Sequence, residues 1–246
     1  MEGMTRTELD KVENKDFALK KGKALRPRDA ATLILLDRHA DGDVRVLMGK
    51  RHERHAFMPG RFVFPGGRTD PADSRIAVVK GLDPADELKL RTGRTTAARA
   101  RAIALSAIRE TYEEAGLLIG ERGDFVAGRP DWQGFADHGV RPSLAGLRVV
   151  ARAITPPGRV RRYDTWFFTA WRSSVALELP EGGPTDELEE CAWLTFDQAV
   201  EQDLPQITKT VLSDLRSRLE TDSELADPVQ VPFYRMLNNR FLRELL

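Results

Sequence analysis

Three glutamates, Glu110, Glu113 and Glu114, crowd a stretch of helical character. Residues 97–107 are rich in alanine, and neither Gly nor Pro interrupts the chain from Ala97 to Ala115. Thr95 or Thr96 offers an N-cap, and Gly116 a C-terminal stop. At spacings i, i+3 and i+4 the three carboxylates share one face of such a helix. They repel one another there, and without a partner at least one is driven toward protonation. A hard divalent cation relieves that conflict, because Mg²⁺ prefers oxygen ligands and shares its coordination with water and phosphate. The competing reading is a solvated acidic face paired with a neighbour such as Arg109. A di-iron site is the weaker rival, since its Glu-x-x-His pattern needs a histidine that this helix lacks.

A glycine turn lies well upstream. Arg61-Phe62-Val63-Phe64-Pro65-Gly66-Gly67 reads as a short apolar strand broken by Pro-Gly-Gly, whose backbone can approach a ligand closely. Together with Arg109-Glu110-x-x-Glu113-Glu114-x-Gly116-Leu117, it resembles the box of the Nudix hydrolase superfamily, G-x5-E-x7-R-E-U-x-E-E-x-G-U, with U a bulky aliphatic residue. The second half matches at every fixed position, and Thr111 occupies an aliphatic one. Gly67 and Arg109 stand 42 positions apart, so about 28 residues interrupt the box. Counted forward from Gly67, the family's first glutamate falls on Asp73; counted back from Arg109, it falls on Arg101. Asp73 keeps the charge, which puts the insertion after it, over residues 74–96.

The resemblance implies an α/β (α+β) fold, a Nudix-type α/β/α sandwich with a mixed sheet. It implies Mg²⁺ or Mn²⁺ held by Glu110, Glu113 and Glu114, with the Gly67 carbonyl as a further ligand. Glu110 and Glu114 thereby enter catalysis, while Arg109 and Asp73 support the carboxylates. A general base in this family often comes from the loop before the last strand, which points to Glu187. Residues 57–67 and 161–168 also resemble the interrupted-box branch, which includes a mammalian peroxisomal coenzyme A diphosphatase. That similarity spans residues 30–196. It implies cleavage of coenzyme A or acyl-coenzyme A to 3′,5′-ADP and free or acylated phosphopantetheine. The 3′-phosphate of such a substrate asks for a basic clamp, for which Arg51, Arg61, Arg161 and Arg162, with Arg159, are candidates. The insertion is expected to border the pantetheine or acyl arm. A separate coenzyme A motif is not kept: Gly49 and Ala56 stand where it requires a threonine and an arginine. Two other readings stay open. One is a diphosphatase acting on ADP-ribose, NADH, a dinucleoside polyphosphate or a nucleoside triphosphate; the other is a module that senses a nucleotide without hydrolysing it.

Composition narrows the partners. Lys+Arg and Asp+Glu each number 38 in 246 residues, and a neutral balance argues against a general nucleic-acid or membrane binder. The substrate expected is a small nucleotide derivative. The single cysteine, Cys191, excludes an internal disulfide, suits a reducing cytoplasm, and lies in an apolar run that predicts burial. No apolar stretch approaches the roughly 18 residues of a membrane helix. The charged start lacks a signal-peptide centre, and Arg243-Glu244-Leu245-Leu246 is not a peroxisomal address. A cytoplasmic location follows as the expectation.

Along the chain, residues 1–28 read as a charged tail with scope for one short helix, and 29–246 as a single domain. Residues 30–36 and 44–48 form a hairpin about Asp41-Gly42-Asp43. His52 and His55 in the next loop lack the further ligands a zinc site needs. The insertion is polar, with Leu82, Leu88 and Leu90 as anchors and Asp83-Pro84 opening a short helix. Residues 120–146 form a long loop with local helix; 148–154, 165–171 and 191–196 are strands. From 197 to 246 the expectation is extra C-terminal helices, with Phe233, Met236, Leu237, Phe241, Leu242 and Leu245 lining the last one. That helix offers a surface for a homodimer.

Overall fold

The computed structural model describes residues 1–12, 25–52 and 60–246. The chain opens with helix α1 (Arg6–Val12), which buries Leu9 against the C-terminal end. Strands β1 (Arg28–Arg38) and β2 (Val44–Arg51) form the expected hairpin, with Leu36 opposite Val46. Along β1 the side chains alternate as strand geometry requires. Leu33 and Leu35 enter one apolar cluster, while Ile34 and Leu36 enter the other. Two short strands, β3 (Phe62–Val63) and β4 (Gly66–Arg68), carry the glycine turn onto β2 and β1.

A 3-10 turn over Pro71–Arg75 leads into the insertion, where Asp83 caps helix α2 (Pro84–Leu90) through the Ala85 amide, 2.9 Å away. Helix α3 (Ala97–Ala115) starts at the Thr96 cap and ends at Gly116. At Gly116 φ is +70°, a conformation that glycine adopts without steric cost. Next come β5 (Leu117–Arg122), α4 (Gln133–Asp137), β6 (Val140–Pro142), β7 (Arg148–Ile154), β8 (Tyr163–Trp171) and β9 (Val175–Glu178). The chain then runs through β10 (Leu188–Thr195), α5 (Phe196–Glu201) and α6 (Gln206–Thr221), and closes with β11 (Pro232–Leu237) and β12 (Arg240–Leu245).

The main mixed sheet runs β10-β2-β1-β8-β7-β11-β12, with β1 parallel to β8 and β11 parallel to β7. A smaller sheet orders β6-β5-β9. Ile103, Ala104 and Ile108 of α3 cover one face of the main sheet, and Val211, Leu212 and Leu215 of α6 cover the other. This is the mixed α/β sandwich the sequence leads one to expect. Among the described residues no helix is long and apolar enough to cross a membrane.

The C-terminal expectation is half right. Helices α5 and α6 form, but the apolar set from Phe233 to Leu245 is a β-hairpin. Asn238 and Asn239 take φ of +49° and +63°, the left-handed pair a two-residue hairpin turn needs, and that turn chemistry overrides the helical spacing. The helix expected to form a dimer surface is therefore absent. Nor are the first twelve residues a loose tail: Gly3 and Thr5 bond to the backbone of Phe241 and Arg240. Cys191 is exposed rather than buried, because β10 is an edge strand of the sheet.

Of the insertion's expected anchors, Leu90 is 0% exposed beneath α3 and Leu88 is 72% exposed. Leu90→Ala is therefore expected to cost about 2–5 kcal/mol in denaturant unfolding. Leu88→Ala should stay within about 0.5 kcal/mol of the unaltered chain. Equal losses at the two positions would contradict this packing.

Candidate functional site

Helix α3 and the β3–β4 turn meet because β4 pairs with β1, setting Gly66 against Thr32 and Gly67 against Ala31. The Gly66 amide then donates to Glu114 Oε2 at 2.9 Å. A Cβ at Gly67 would collide with the Glu110 carboxylate, so the glycine is what lets backbone and side chain approach so closely.

Arg109 ties the acidic helix to the residues before the insertion. Its Nε donates to Asp73 Oδ2 at 3.2 Å and its Nη1 to Glu113 Oε2 at 2.7 Å. Nη2 lies 2.8 Å from Glu110 Oε1 and also reaches the Arg68 carbonyl. Asp73 is fully buried, and its other oxygen accepts from Trp132 Nε1 at 2.9 Å. Of the two placements for the family's first glutamate, Asp73 is the one in contact with Arg109. Arg101 instead holds the start of the insertion through the Ser74 and Ile76 carbonyls.

An open cleft of about 470 Å³ runs past these groups. Glu110, Glu114, Glu187, Gly67, Arg51 and Arg161 all line it. Across it, Arg51 Nη2 donates to Glu187 Oε2 at 3.0 Å. Glu113 is not on this wall; Arg109 holds its carboxylate, and Thr185 bonds to its carbonyl. Two of the expected basic contacts lie elsewhere. Arg61 pairs with Asp203 at 3.0 Å, and Arg162 spans the Thr155 and Leu25 carbonyls. Arg159 is buried against Asp10. His55, and residues 57–59 of the branch resemblance, lie outside the described residues.

The insertion borders a separate hollow lined by Ser74, Leu82, Leu90 and Arg101, and it supplies no lining residue of the cleft. The lining of the cleft thus gives no support to the insertion's expected place beside a substrate arm. The far wall of the cleft comes from Tyr163, Thr165 and Phe167 of β8 and from Pro205, Ile207 and Thr208 at the start of α6. Sequence reasoning assigned none of these a role. The aromatic run of β8 is visible in the chain, but nothing local marks the opening turn of α6 as its neighbour.

The electrostatics of the acidic face follow from its burial. Burial is the largest influence on each glutamate of the helix. It raises Glu110 against the pull of Arg109, pushes Glu113 up to about 7, and pushes Glu114, only 4% exposed, up to about 9. The negative charges of Glu110 and Glu187 add to the rise at Glu114. Among the described residues no three acidic, histidine or cysteine side chains stand in ligating geometry. Buried oxygens that repel one another are the kind of donor that a hard cation neutralises.

A pH dependence follows with a definite sign. These acids have folded values above their ordinary 4.5, so between about 4.5 and 9 the folded chain binds more protons than the unfolded one. The contribution of Glu113 and Glu114 to the stability of the metal-free protein is fully present below about 4.5 and is lost as pH rises through about 7 and then 9. Thermal melts in chelator across this range are the measurement, and a rising Tm would contradict the burial described. At pH 7, Mn²⁺ should displace protons from the cluster, so its calorimetric heat should vary with the ionisation enthalpy of the buffer.

Residues 102–215 match the NUDIX domain family model, which begins within α3, past the interruption. The acyl-coenzyme A diphosphatase NUDT19 of Xenopus laevis is 30% identical over 131 residues, covering 37% of this chain and 34% of that protein. This chain thus spans about a third of the length of that curated relative. The crystal structure of a NUDIX hydrolase from Alicyclobacillus acidocaldarius is 25% identical, with a TM-score of 0.56, over 82% of this chain and 93% of that one. Residues 102–215 are thus similar to NUDIX domains, and the fold resembles that of a NUDIX hydrolase.

Proposed function

We propose that this protein hydrolyses the diphosphate bond of coenzyme A or acyl-coenzyme A, releasing 3′,5′-ADP and free or acylated phosphopantetheine. The observation that carries the reading is the meeting of Glu110, Glu114 and Glu187 with Gly67, Arg51 and Arg161 around one cleft. The partial likeness to an acyl-coenzyme A diphosphatase supports this choice of substrate.

Glu110 and Glu114, with the Gly67 carbonyl, would hold Mg²⁺ or Mn²⁺ at the cleft, and Glu113 would join them on giving up its bond to Arg109. When bound, such an ion neutralises charge on the diphosphate and makes a nearby water more acidic. Glu187 Oε accepts the proton of the attacking water, and Arg51 orients that carboxylate through its 3.0 Å bond. As the water oxygen bonds to phosphorus, the bridging P–O bond breaks and its electron pair leaves with the departing phosphate. Arg51 and Arg161 face the phosphates from the walls, whereas Arg61 and Arg162 hold the framework. Arg109 and Asp73 are positioning residues that fix the acidic face. The lone cysteine fits a reducing, cytoplasmic setting.

The test is a substrate panel with Mg²⁺ and with Mn²⁺, products resolved by chromatography. Free coenzyme A and acyl-coenzyme A should yield 3′,5′-ADP. Turnover of ADP-ribose, NADH or a dinucleoside polyphosphate without turnover of coenzyme A would replace the substrate. Tight nucleotide binding with no hydrolysis would make the chain a sensing module.

A further inference from the structure

Beside the cleft lies a second, smaller cavity of about 90 Å³, and the two share Thr165, Phe167 and Ile207 as lining residues. Beyond that shared wall the lining comes from Leu9 of α1, Ala153 of β7 and Tyr234 of β11. These elements build a continuous row across the sheet. Ala30 pairs with Thr165, Thr165 with Ala153, and Ala153 with Tyr234, so all four side chains stand on one face. At about 4.8 Å per strand the row runs roughly 14 Å, from the neighbourhood of the glycine turn to the cavity. The far end is apolar in effect: the Tyr234 hydroxyl is engaged by Asp214 and Arg243, and Arg159 is bonded to Asp10.

We infer that this cavity is the acyl subsite: it receives a short, unbranched acyl tail whose coenzyme A head lies in the cleft. The inference rests on the reaction proposed above and adds to it the part of the substrate that decides preference. The lining offers apolar surface to a hydrocarbon chain, and Thr165, Phe167 and Ile207, common to both linings, set the cavity directly beside a molecule held in the cleft. The volume sets the length. It lies below the ~150 Å³ of a cavity that takes a benzene ring, so a chain of a few carbons fits and a long one does not.

The experiment is a kcat/KM series on the full chain with free coenzyme A and its acetyl, butanoyl, hexanoyl, octanoyl and dodecanoyl thioesters. Two variants accompany it, Ala153→Leu to fill the cavity and Leu9→Ala to enlarge it. In the unaltered protein butanoyl- or hexanoyl-coenzyme A should exceed free coenzyme A by roughly 10-fold, the worth of two or so buried methylenes. Ala153→Leu should bring that ratio to within about 2-fold of unity while free coenzyme A keeps its kcat/KM. Leu9→Ala should move the optimum to octanoyl or longer. If Ala153→Leu loses free and acylated substrates alike, Leu9→Ala decides, and an unmoved optimum overturns the subsite. An acyl ratio unchanged in both variants, with free coenzyme A still hydrolysed, overturns the subsite and leaves the reaction standing. No turnover of any coenzyme A by the unaltered protein overturns both.

Discussion

Replacing Glu114 by glutamine is expected to lower turnover on the order of 10³-fold, the scale of removing a group that stabilises transition-state charge. Stability in metal-free buffer should barely change. The Gly66 amide donates to Glu114 Oε2, and a glutamine carbonyl oxygen can accept the same bond. Burial pushes the Glu114 carboxyl up to about 9, so at pH 7 the metal-free protein already holds it neutral, and glutamine has the shape of that neutral form. The difference should appear only with metal. Mn²⁺ should raise the Tm of the unaltered chain through binding to the folded state and raise that of the variant much less. Activity, Tm in chelator and Tm in Mn²⁺ together form the measurement. Retained activity in Glu114→Gln would remove this carboxylate from the chemistry.

The second large effect belongs to Arg109. Arg109→Met keeps a long apolar stem but leaves Asp73, Glu110 and Glu113 without their shared cation. Stripping one partner from a buried ionic cluster costs about 3–5 kcal/mol, since the remaining charges stay desolvated. In a chain of this size that is a drop in Tm of roughly 10 °C. Arg109→Lys should fall between the two, because one ammonium on a flexible stem cannot reproduce the planar fork that meets three carboxylates. The loss for Arg109→Met should shrink as pH falls and the orphaned carboxylates become protonated. A melting temperature within 2 °C or so of the unaltered chain at pH 7 would mean that the ion pairs contribute little to folding.

Local grammar was legible and long-range pairing was not. Helix α3 was readable from its alanine content, its threonine cap and Gly116, all signals carried within a few residues. The β1–β2 hairpin and β7 and β8 were likewise visible as apolar runs bounded by turns. Asp73 could be nominated because its charge survives the interruption, and its bonds to Arg109 and Trp132 explain why that charge is useful there. Trp132 itself gave no sign of its task, since an indole N–H meets a carboxylate 59 residues away only once the chain has folded. The final hairpin misled for the opposite reason: its apolar spacing satisfies a helix, and two asparagines in left-handed geometry decide against it. Surface arginines were the least legible class. Arg51 and Arg161 reach the cleft while Arg61 and Arg162 do not, and the chain offers no local cue to separate them.

The buried clamp of Asp73 on Arg109 also frees the stretch it brackets. With Asp73 pinned by Arg109, Ser74 and Ile76 held by Arg101, and Leu90 buried beneath α3, the exposed turn between Leu90 and Ala97 is the part of the insertion that can lengthen without disturbing those anchors. Doubling an unstructured connection costs only about 0.6 kcal/mol in closure entropy. The exposed turn at Gly93, where φ is +68° and no atom crowds the α-carbon, is therefore a natural graft point. A reporter peptide spliced there would touch no residue that lines the cleft, giving an engineer a handle on this fold.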